Sequence, residues 1–208
     1  MSRFARPCHP IPILILLFTG SASLPVQAAD LTPEQYLGGK LDAPIRIEVF
    51  SDFQCPACRT LYLDVMLKVL QDYSSQNKVC LIYHEFPLRN HTLSRVAARY
   101  SKAAQRLGTK QWRAVMESLY DKQAVWGWDG SVDAVVFGAL DKEDFLKLKQ
   151  LLDDPSIEAA IEREVTLGEK RNVQSTPTFF VYAAGKEQRI VGSVPYRVLK
   201  DFFDRTLR

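Results

Sequence analysis

Two cysteines, three positions apart, carry the clearest chemical signal in this chain. Cys55 and Cys58 enclose Pro56 and Ala57 where a predicted strand gives way to a predicted helix. Proline suits the first position of a helix, so Cys55 is predicted to be the N-cap. The free amides and dipole of the helix favour a thiolate there, which indicates Cys55 as the attacking sulfur. Cys58, one turn further on, is predicted to face inward and to close or resolve a disulfide.

Two other readings of these cysteines have to be weighed. Cys55, Cys58, Cys80 and His84 have a spacing that resembles a structural zinc site. Cys80 and His84 lie on one predicted strand with side chains about 13 Å apart, too far to share a metal. The second alternative is an inert structural disulfide, but so short a loop contributes little loop-closure stabilisation. We therefore predict a redox pair and no metal.

The elements that must position this pair form a recognisable order. Residues 45–51 and 79–85 read as strands and residues 56–73 as an amphipathic helix, which together predict a parallel βαβ unit. Helical patterns follow until about residue 170, including a helix with Asp154 as N-cap and Pro155 at its first position. Strand character returns at 177–182 and 188–191, with Gly185 in the hairpin turn, and Pro195 opens a last helix. The sequence predicts an α/β domain built as βαβ, a helical insertion and ββα.

The N-terminus has the pattern of an export signal. Arg3 and Arg6 precede an apolar run over 11–18, and small residues suited to cleavage end at Ala28. The apolar run is shorter than the roughly 20 residues of a membrane span. The predicted organisation is a signal peptide over 1–28, an N-terminal lead over 29–40, one domain over 41–87 and 173–208, and an inserted helical domain over 88–172.

Composition narrows the function further. The 208 residues are 47% hydrophobic, which is enough for a globular domain with a sizeable core. They carry 27 basic against 24 acidic side chains, so there is no large positive charge of the kind that binds nucleic acid. Four cysteines are too few for a disulfide-stapled miniprotein, and Cys8 would leave with the signal peptide. Three thiols then remain, so at most one intramolecular disulfide can form.

Three stretches of sequence carry a resemblance to a known family. They are the residues from Ile47 to Cys58 (IEVFSDFQCPAC), from Glu85 to Leu88 (EFPL) and from Ser175 to Val181 (STPTFFV). Together they resemble the DsbA-like family of exported thiol-disulfide oxidoreductases with a thioredoxin fold. The likeness covers about residues 40–207, including the helical insertion.

The resemblance implies further features of the site. It implies a cis peptide bond between Thr176 and Pro177 beside the cysteines, with the backbone of Thr176 pairing with an extended substrate. Members of the family often carry a buried acid where this chain has Val49, and Glu48 falls on the opposite face of the strand. Glu48, Asp52 and a water molecule all remain open as the group that handles protons for Cys58.

The expected function is a dithiol oxidase that donates the Cys55–Cys58 disulfide to folding exported proteins through a mixed disulfide. The alternatives are an isomerase or reductase of the same fold, and a non-catalytic binder of unfolded exported chains. Only about 15 residues separate the cleavage site from the first predicted strand, too few for the dimerisation domain of a DsbC-type isomerase, which favours a monomer. Expected partners are exported protein thiols and a quinone-linked membrane oxidase of the DsbB or vitamin-K-epoxide-reductase type. No cofactor is predicted, and the expected location is the periplasm or another extracytoplasmic space.

The remaining candidate residues are given structural roles. Cys80, in the middle of a strand, is predicted to act as a small buried hydrophobe. His84 and His91 are predicted to be solvated or to cap an element. Trp126-Gly127-Trp128 is predicted to be a loop whose two tryptophans pack onto the helical insertion.

Overall fold

A single mixed sheet organises residues 35–208, the part of the chain that this computed structural model describes. The predicted signal peptide over 1–28 lies outside the described residues. The strands are β1 Tyr36–Gly38, β2 Ile45–Ser51, β3 Val79–Glu85, β4 Thr178–Ala183 and β5 Lys186–Val191. They are ordered β1-β3-β2-β4-β5 across the sheet. From residue 35 onward, no helix is long and apolar enough to cross a membrane.

The pairing of the central strands confirms the predicted βαβ unit. β2 and β3 run parallel, in a register that begins with Ile45 opposite Val79 and ends with Ser51 opposite Glu85. The other neighbours in the sheet are antiparallel. β1 was not predicted and lies in the segment interpreted as an N-terminal lead; three residues are too few to show a strand periodicity.

The described α-helices are six in the helical insertion and three outside it. They are α1 Pro56–Thr60, α2 Leu67–Asp72, α3 Ser94–Leu107, α4 Thr109–Asp121, α5 Gln123–Asp129, α6 Val132–Phe137, α7 Lys142–Leu151, α8 Pro155–Lys170 and α9 Tyr196–Thr206. The helices α3 to α8 stand between β3 and β4 in the chain and form the predicted helical insertion. The Asp154 side chain accepts a hydrogen bond from the Ser156 amide, which confirms it as the N-cap of α8.

The helix predicted over 56–73 is not regular. A π-helix, Leu61–Met66, separates α1 from α2. Buried side chains recur every four residues here, at Cys58, Tyr62, Met66 and Leu70. That spacing exceeds the 3.6 residues of an α-helical turn, and the wider π turns keep these side chains on the sheet.

The prediction for the two tryptophans of the insertion was wrong. Trp126-Gly127-Trp128 lies within α5 and not in a loop. Trp126 is buried and its indole N–H donates to the Leu119 carbonyl at 2.6 Å, whereas Trp128 is 91% exposed. Residues two positions apart lie about 200° apart around an α-helix, so only one of these two rings can face the core.

The insertion packs closely on the sheet through Gly168 of α8. Phe50 and Phe86 belong to a small apolar cluster on the face of the sheet opposite α1. A Cβ atom at Gly168 would overlap the Phe86 ring and lie 3.1 Å from Phe50. The absence of a side chain at Gly168 therefore sets how near α8 comes to β2.

Replacing Gly168 with alanine is expected to lower the free energy of unfolding by about 1–3 kcal/mol, because the methyl group overpacks this contact. Urea unfolding followed by circular dichroism measures the change. Gly127→Ala is the matched control, since Gly127 is also helical and has nothing within 4 Å of its added Cβ. Equal stability of the two variants would contradict this account.

Candidate active site

The carboxyl end of β2 leads directly into the N-terminus of α1, where the two cysteines lie. Cys55 is the N-cap and Pro56 occupies the first helical position, as predicted. The Cys58 amide donates to the Cys55 sulfur at 3.4 Å. The helix N-terminus thus offers the sulfur a backbone N–H, which also donates to the Cys55 carbonyl at 3.1 Å.

The two thiols differ in their acidity. A hydrogen bond from the Cys58 thiol lowers the pKa of Cys55 to about 6, against the opposing effect of partial burial. The Thr176 and Ala57 groups that contact the sulfur act in the same direction. Burial raises the pKa of Cys58 well above its ordinary value, and its contact with Cys55 adds to this. One sulfur is therefore largely a thiolate at neutral pH and the other a thiol.

A third element completes the surroundings of Cys55. The bond between Thr176 and Pro177 is cis, which confirms what the family resemblance implied. When it is protonated, the Cys55 thiol donates to the Thr176 carbonyl, which lies 3.2 Å from the sulfur. The segment before β4 therefore lies against the sulfur of Cys55.

Asp52 ties the cysteine loop to the segment that enters the insertion. Its carboxylate accepts hydrogen bonds from the amides of Gln54 and Leu88, each at 2.7 Å, and from the Ser94 hydroxyl. His91 Nδ1 lies 2.9 Å from the same carboxylate. Asp52 is buried, and its backbone N–H donates to the Cys58 sulfur at 3.5 Å. The carboxylate is thus occupied by the loops, and the backbone of Asp52 is the part that contacts Cys58.

The insertion contributes a second support. The Gln123 amide of α5 donates to the carbonyls of Phe53 and Cys55, at 2.6 and 3.0 Å. Gln123 and Asp52 together hold the backbone segment that leads into Cys55. The sequence does not point to Gln123, because no local pattern links a glutamine to a loop 68 residues away.

The other sequence candidates lie away from the two thiols. Cys80 is buried on β3, and burial raises its pKa to about 11, as expected for a structural thiol. Glu48 faces the opposite side of the sheet from Cys58, as predicted, and pairs there with Arg46 and Arg171. The prediction for His84 was wrong, because it is fully buried and stacks on Phe50 with ring centroids 4.6 Å apart. Among residues 35–208, no three His, Cys, Asp or Glu side chains are placed to hold a metal ion.

A row of hydroxyl groups behind Cys58 was also missed. The Ser51 hydroxyl lies 2.9 Å from that of Tyr120, which lies 2.6 Å from that of Tyr83. Strand alternation places Ser51 and Tyr83 on one face, but the position of Tyr120 depends on how α4 packs.

The fold and the paired thiols define the class of this protein: a thiol-disulfide oxidoreductase. A family model described as thioredoxin matches residues 31–195, and the chain belongs to this family.

One curated relative and two solved structures are similar to this chain. The chain is 24% identical over 173 residues to disulfide bond formation protein D of Bacillus subtilis, covering 82% of this chain and 76% of the relative. The crystal structure of oxidised BdbD from Bacillus subtilis is similar with a TM-score of 0.66 and 25% identity, covering 81% of this chain and 90% of that one. Wolbachia pipientis alpha-DsbA1 has a similar fold, with a TM-score of 0.68 and 18% identity over 86% of this chain and 94% of that one. These comparisons confirm the DsbA-like thioredoxin fold with its helical insertion.

Proposed function

We propose that this protein is an exported dithiol oxidase in which Cys55 and Cys58 are the catalytic pair. The observation that carries the proposal is the position of Cys55 as the N-cap of α1, where its sulfur accepts a hydrogen bond from the Cys58 amide at 3.4 Å. The pKa of Cys55, lowered to about 6, and the raised pKa of Cys58 agree with this placement. A stabilised thiolate favours the reduced form of the pair, so the disulfide form is readily reduced and acts as an oxidant.

The proposed reaction has two exchange steps. A substrate thiolate attacks the Cys55 sulfur of the disulfide form; a bond between substrate and Cys55 forms, the Cys55–Cys58 bond breaks, and the electron pair leaves on Cys58. A second thiolate of the substrate then attacks the sulfur joined to Cys55, and Cys55 leaves as a thiolate. The substrate has lost two electrons and gained a disulfide, and the protein is left with two reduced cysteines. The low pKa of Cys55 makes it a good leaving group in the second step.

The supporting residues have separate proposed roles. Pro56 and Ala57 keep the two cysteines one helical turn apart at the N-terminus of α1. The backbone of Thr176, held by the cis bond to Pro177, lies within hydrogen-bond distance of Cys55 and is placed to pair with an extended substrate. Main-chain pairing of this kind reads no particular side chain, which suits an enzyme with many substrates.

The proposal extends to partners and location. The substrates would be thiols of exported proteins, and a quinone-linked membrane oxidase of the DsbB or vitamin-K-epoxide-reductase type would return the pair to the disulfide. The export pattern over 1–28 supports a periplasmic or other extracytoplasmic location. We propose that the protein works as a monomer.

The test is the redox equilibrium of the Cys55–Cys58 pair with glutathione, together with a titration of the Cys55 thiolate by its ultraviolet absorbance. We expect an inflection at about pH 6 and an equilibrium that favours the reduced protein. The pKa of Cys55 in the folded protein lies below its ordinary 9.0, so the thiolate stabilises the reduced fold. This contribution to stability is fully present above pH 9 and is lost as pH falls through 6. At pH 7 it corresponds to about a tenfold change in the folding equilibrium of the reduced protein, or about 1.4 kcal/mol.

Cys55→Ser serves as the control, since it should remove the inflection. An inflection near pH 9 in the unmodified protein, with an equilibrium that favours its disulfide, would instead assign it as a reductase or isomerase.

A further inference from the structure

Three buried hydroxyl groups form a continuous row behind the inner thiol. Ser51 ends β2, Tyr83 lies on the adjacent strand β3, and Tyr120 reaches them from α4 of the insertion. The Ser51 and Tyr120 oxygens are 2.9 Å apart and the Tyr120 and Tyr83 oxygens 2.6 Å apart. All three residues are at most 2% exposed, so the row is sealed from solvent.

Each hydroxyl has one proton to donate, and either oxygen of each pair can be the donor. Among the described residues, the Tyr83 hydroxyl has a hydrogen-bond partner only in Tyr120. In the arrangement that uses the protons of both tyrosines, Tyr83 donates to Tyr120 and Tyr120 donates to Ser51. The Ser51 proton is then free for another acceptor.

The sulfur of Cys58 lies in the same cavity and is placed to accept it. Ser51, Tyr83 and Cys58 line one cavity between the sheet and the π-helix. A hydrogen bond from the Ser51 side chain to Cys58 lowers the pKa of that thiol and opposes the dominant effect of burial. Val49 lines the same cavity, so an apolar side chain lies there on β2.

We propose that Ser51, oriented by Tyr120 and Tyr83, donates the hydrogen bond that stabilises the sulfur of Cys58 whenever it is negatively charged. This inference rests on the proposed function, in which Cys58 becomes a thiolate each time the disulfide opens or closes. Ser51 contacts the reacting sulfur, whereas Tyr120 and Tyr83 are positioning residues that fix the direction of its proton.

The hydroxyls act as donors and not as a source of protons. When a substrate thiolate attacks Cys55, the electron pair of the broken disulfide moves to Cys58, and the Ser51 O–H turns toward that charge. Burial raises the pKa values of Tyr83 and Tyr120 well above their ordinary range, so both stay protonated. The proton that finally neutralises Cys58 comes from solvent water. The hydrogen-bonded row lowers the cost of the charge until that proton arrives.

Other groups around Cys58 act on its charge as well. They are Cys55 on α1 and the backbone amide of Asp52, both of which contact the sulfur. Glu85, the neighbour of Ser51 across the strands, is buried, and burial raises the pKa of its carboxyl well above the ordinary value. A raised pKa favours the neutral carboxyl and so reduces the negative charge that Glu85 adds near Cys58.

The experiment separates the two cysteines in time. Reduced protein is mixed with an excess of an aromatic disulfide whose released thiolate is coloured. Attack by Cys55 releases the first thiolate at a rate that rises with reagent concentration. Closure by Cys58 releases the second thiolate at a rate that does not, and a high reagent concentration makes this step visible.

Ser51→Ala is expected to move the pH midpoint of the second step up by about one to two pH units, because the loss of a hydrogen bond to a charged group raises the pKa of Cys58. The second step should slow by only about 3- to 10-fold at pH 7, because a thiolate of higher pKa is also more nucleophilic. The first step should change less than twofold. Tyr120→Phe should act in the same direction with a smaller effect, and it keeps the proposal testable if Ser51→Ala does not fold.

Ser74→Ala is the matched control, because Ser74 is also a buried serine and its hydroxyl has no hydrogen-bond partner among the described residues. It should leave both steps unchanged. If Ser51→Ala and Tyr120→Phe leave the second step and its pH midpoint unaltered, or slow both steps equally, the inference is wrong. Failure of the proposed function would be visible separately, as an unmodified protein that releases one thiolate or none.

Discussion

Protein carrying Cys58→Ser is expected to accumulate as mixed disulfides with substrates, joined through Cys55. Cys55 keeps its place at the N-terminus of α1 and still attacks, but no second thiol remains within reach to displace the substrate. Cys55→Ser should form none, a difference of several orders of magnitude in trapped complex. Non-reducing electrophoresis of protein incubated with a scrambled disulfide substrate, followed by mass spectrometry of the joined peptides, measures the outcome.

Alkylation of the reduced protein at about pH 6 provides the matching chemical test. Cys55, with a pKa of about 6, should react quickly, whereas Cys58 and Cys80 are buried thiols with raised pKa values. Cys80→Ala should leave disulfide exchange intact. If its loss abolished exchange, the two-cysteine mechanism would have to give way to one with a third redox-active thiol.

Replacing Arg171 with methionine is expected to cost about 3 kcal/mol of stability, because it leaves a buried carboxylate without one of its cations. Arg171 follows α8 and its guanidinium contacts Glu48 at 2.8 Å, with side chains 6% and 4% exposed. Burial alone would raise the pKa of Glu48, but neighbouring His84 and Arg171 outweigh it and leave that pKa lower than usual. The cost is kept moderate by Arg46, which lies 3.0 Å from the same carboxylate.

Urea unfolding at several pH values measures this effect. The stability that ionised Glu48 provides is present above its unfolded pKa and is lost as pH falls through the lower folded value. The difference between Arg171→Met and the unmodified protein should therefore shrink in acid. Arg189→Met is the control, since Arg189 lies on the exposed strand β5 and bonds only the Asn172 carbonyl among the described residues. Equal losses in both variants would show that Glu48 does not need Arg171.

The parts of the fold that sequence predicted are those with a strong local signal. β2 and β3 begin and end where expected, because their branched and aromatic residues are bounded by turn formers. Pro56 indicated the N-cap role of Cys55 without any tertiary information. The π-helix after α1 could not be foreseen in the same way, because its apolar residues also satisfy an ordinary helical pattern.

The parts that sequence could not predict depend on distant elements meeting. His84 reads as an isolated polar residue, yet it is buried because Phe50 and Glu48 of the neighbouring strand surround it. Asp52 reads as a loop residue, and its partners His91 and Ser94 are some forty positions away. The resemblance to a family supplied the cis bond at Pro177, which the residues alone did not require.

The two edge strands of the sheet determine how readily an unfolded substrate chain could add to the protein as a further strand. An unfolded chain can add to any long, exposed strand edge, and such additions lead to aggregates. Among the described strands, β1 at one edge has only three residues, and β5 at the other presents exposed side chains from Lys186 to Arg189, most of them charged. An extended chain therefore finds little strand edge to pair with on either side of the described sheet. Under the proposed function, a substrate that pairs with the backbone at Thr176 would leave once its disulfide is made, and the edges would offer it no second place to add as a strand.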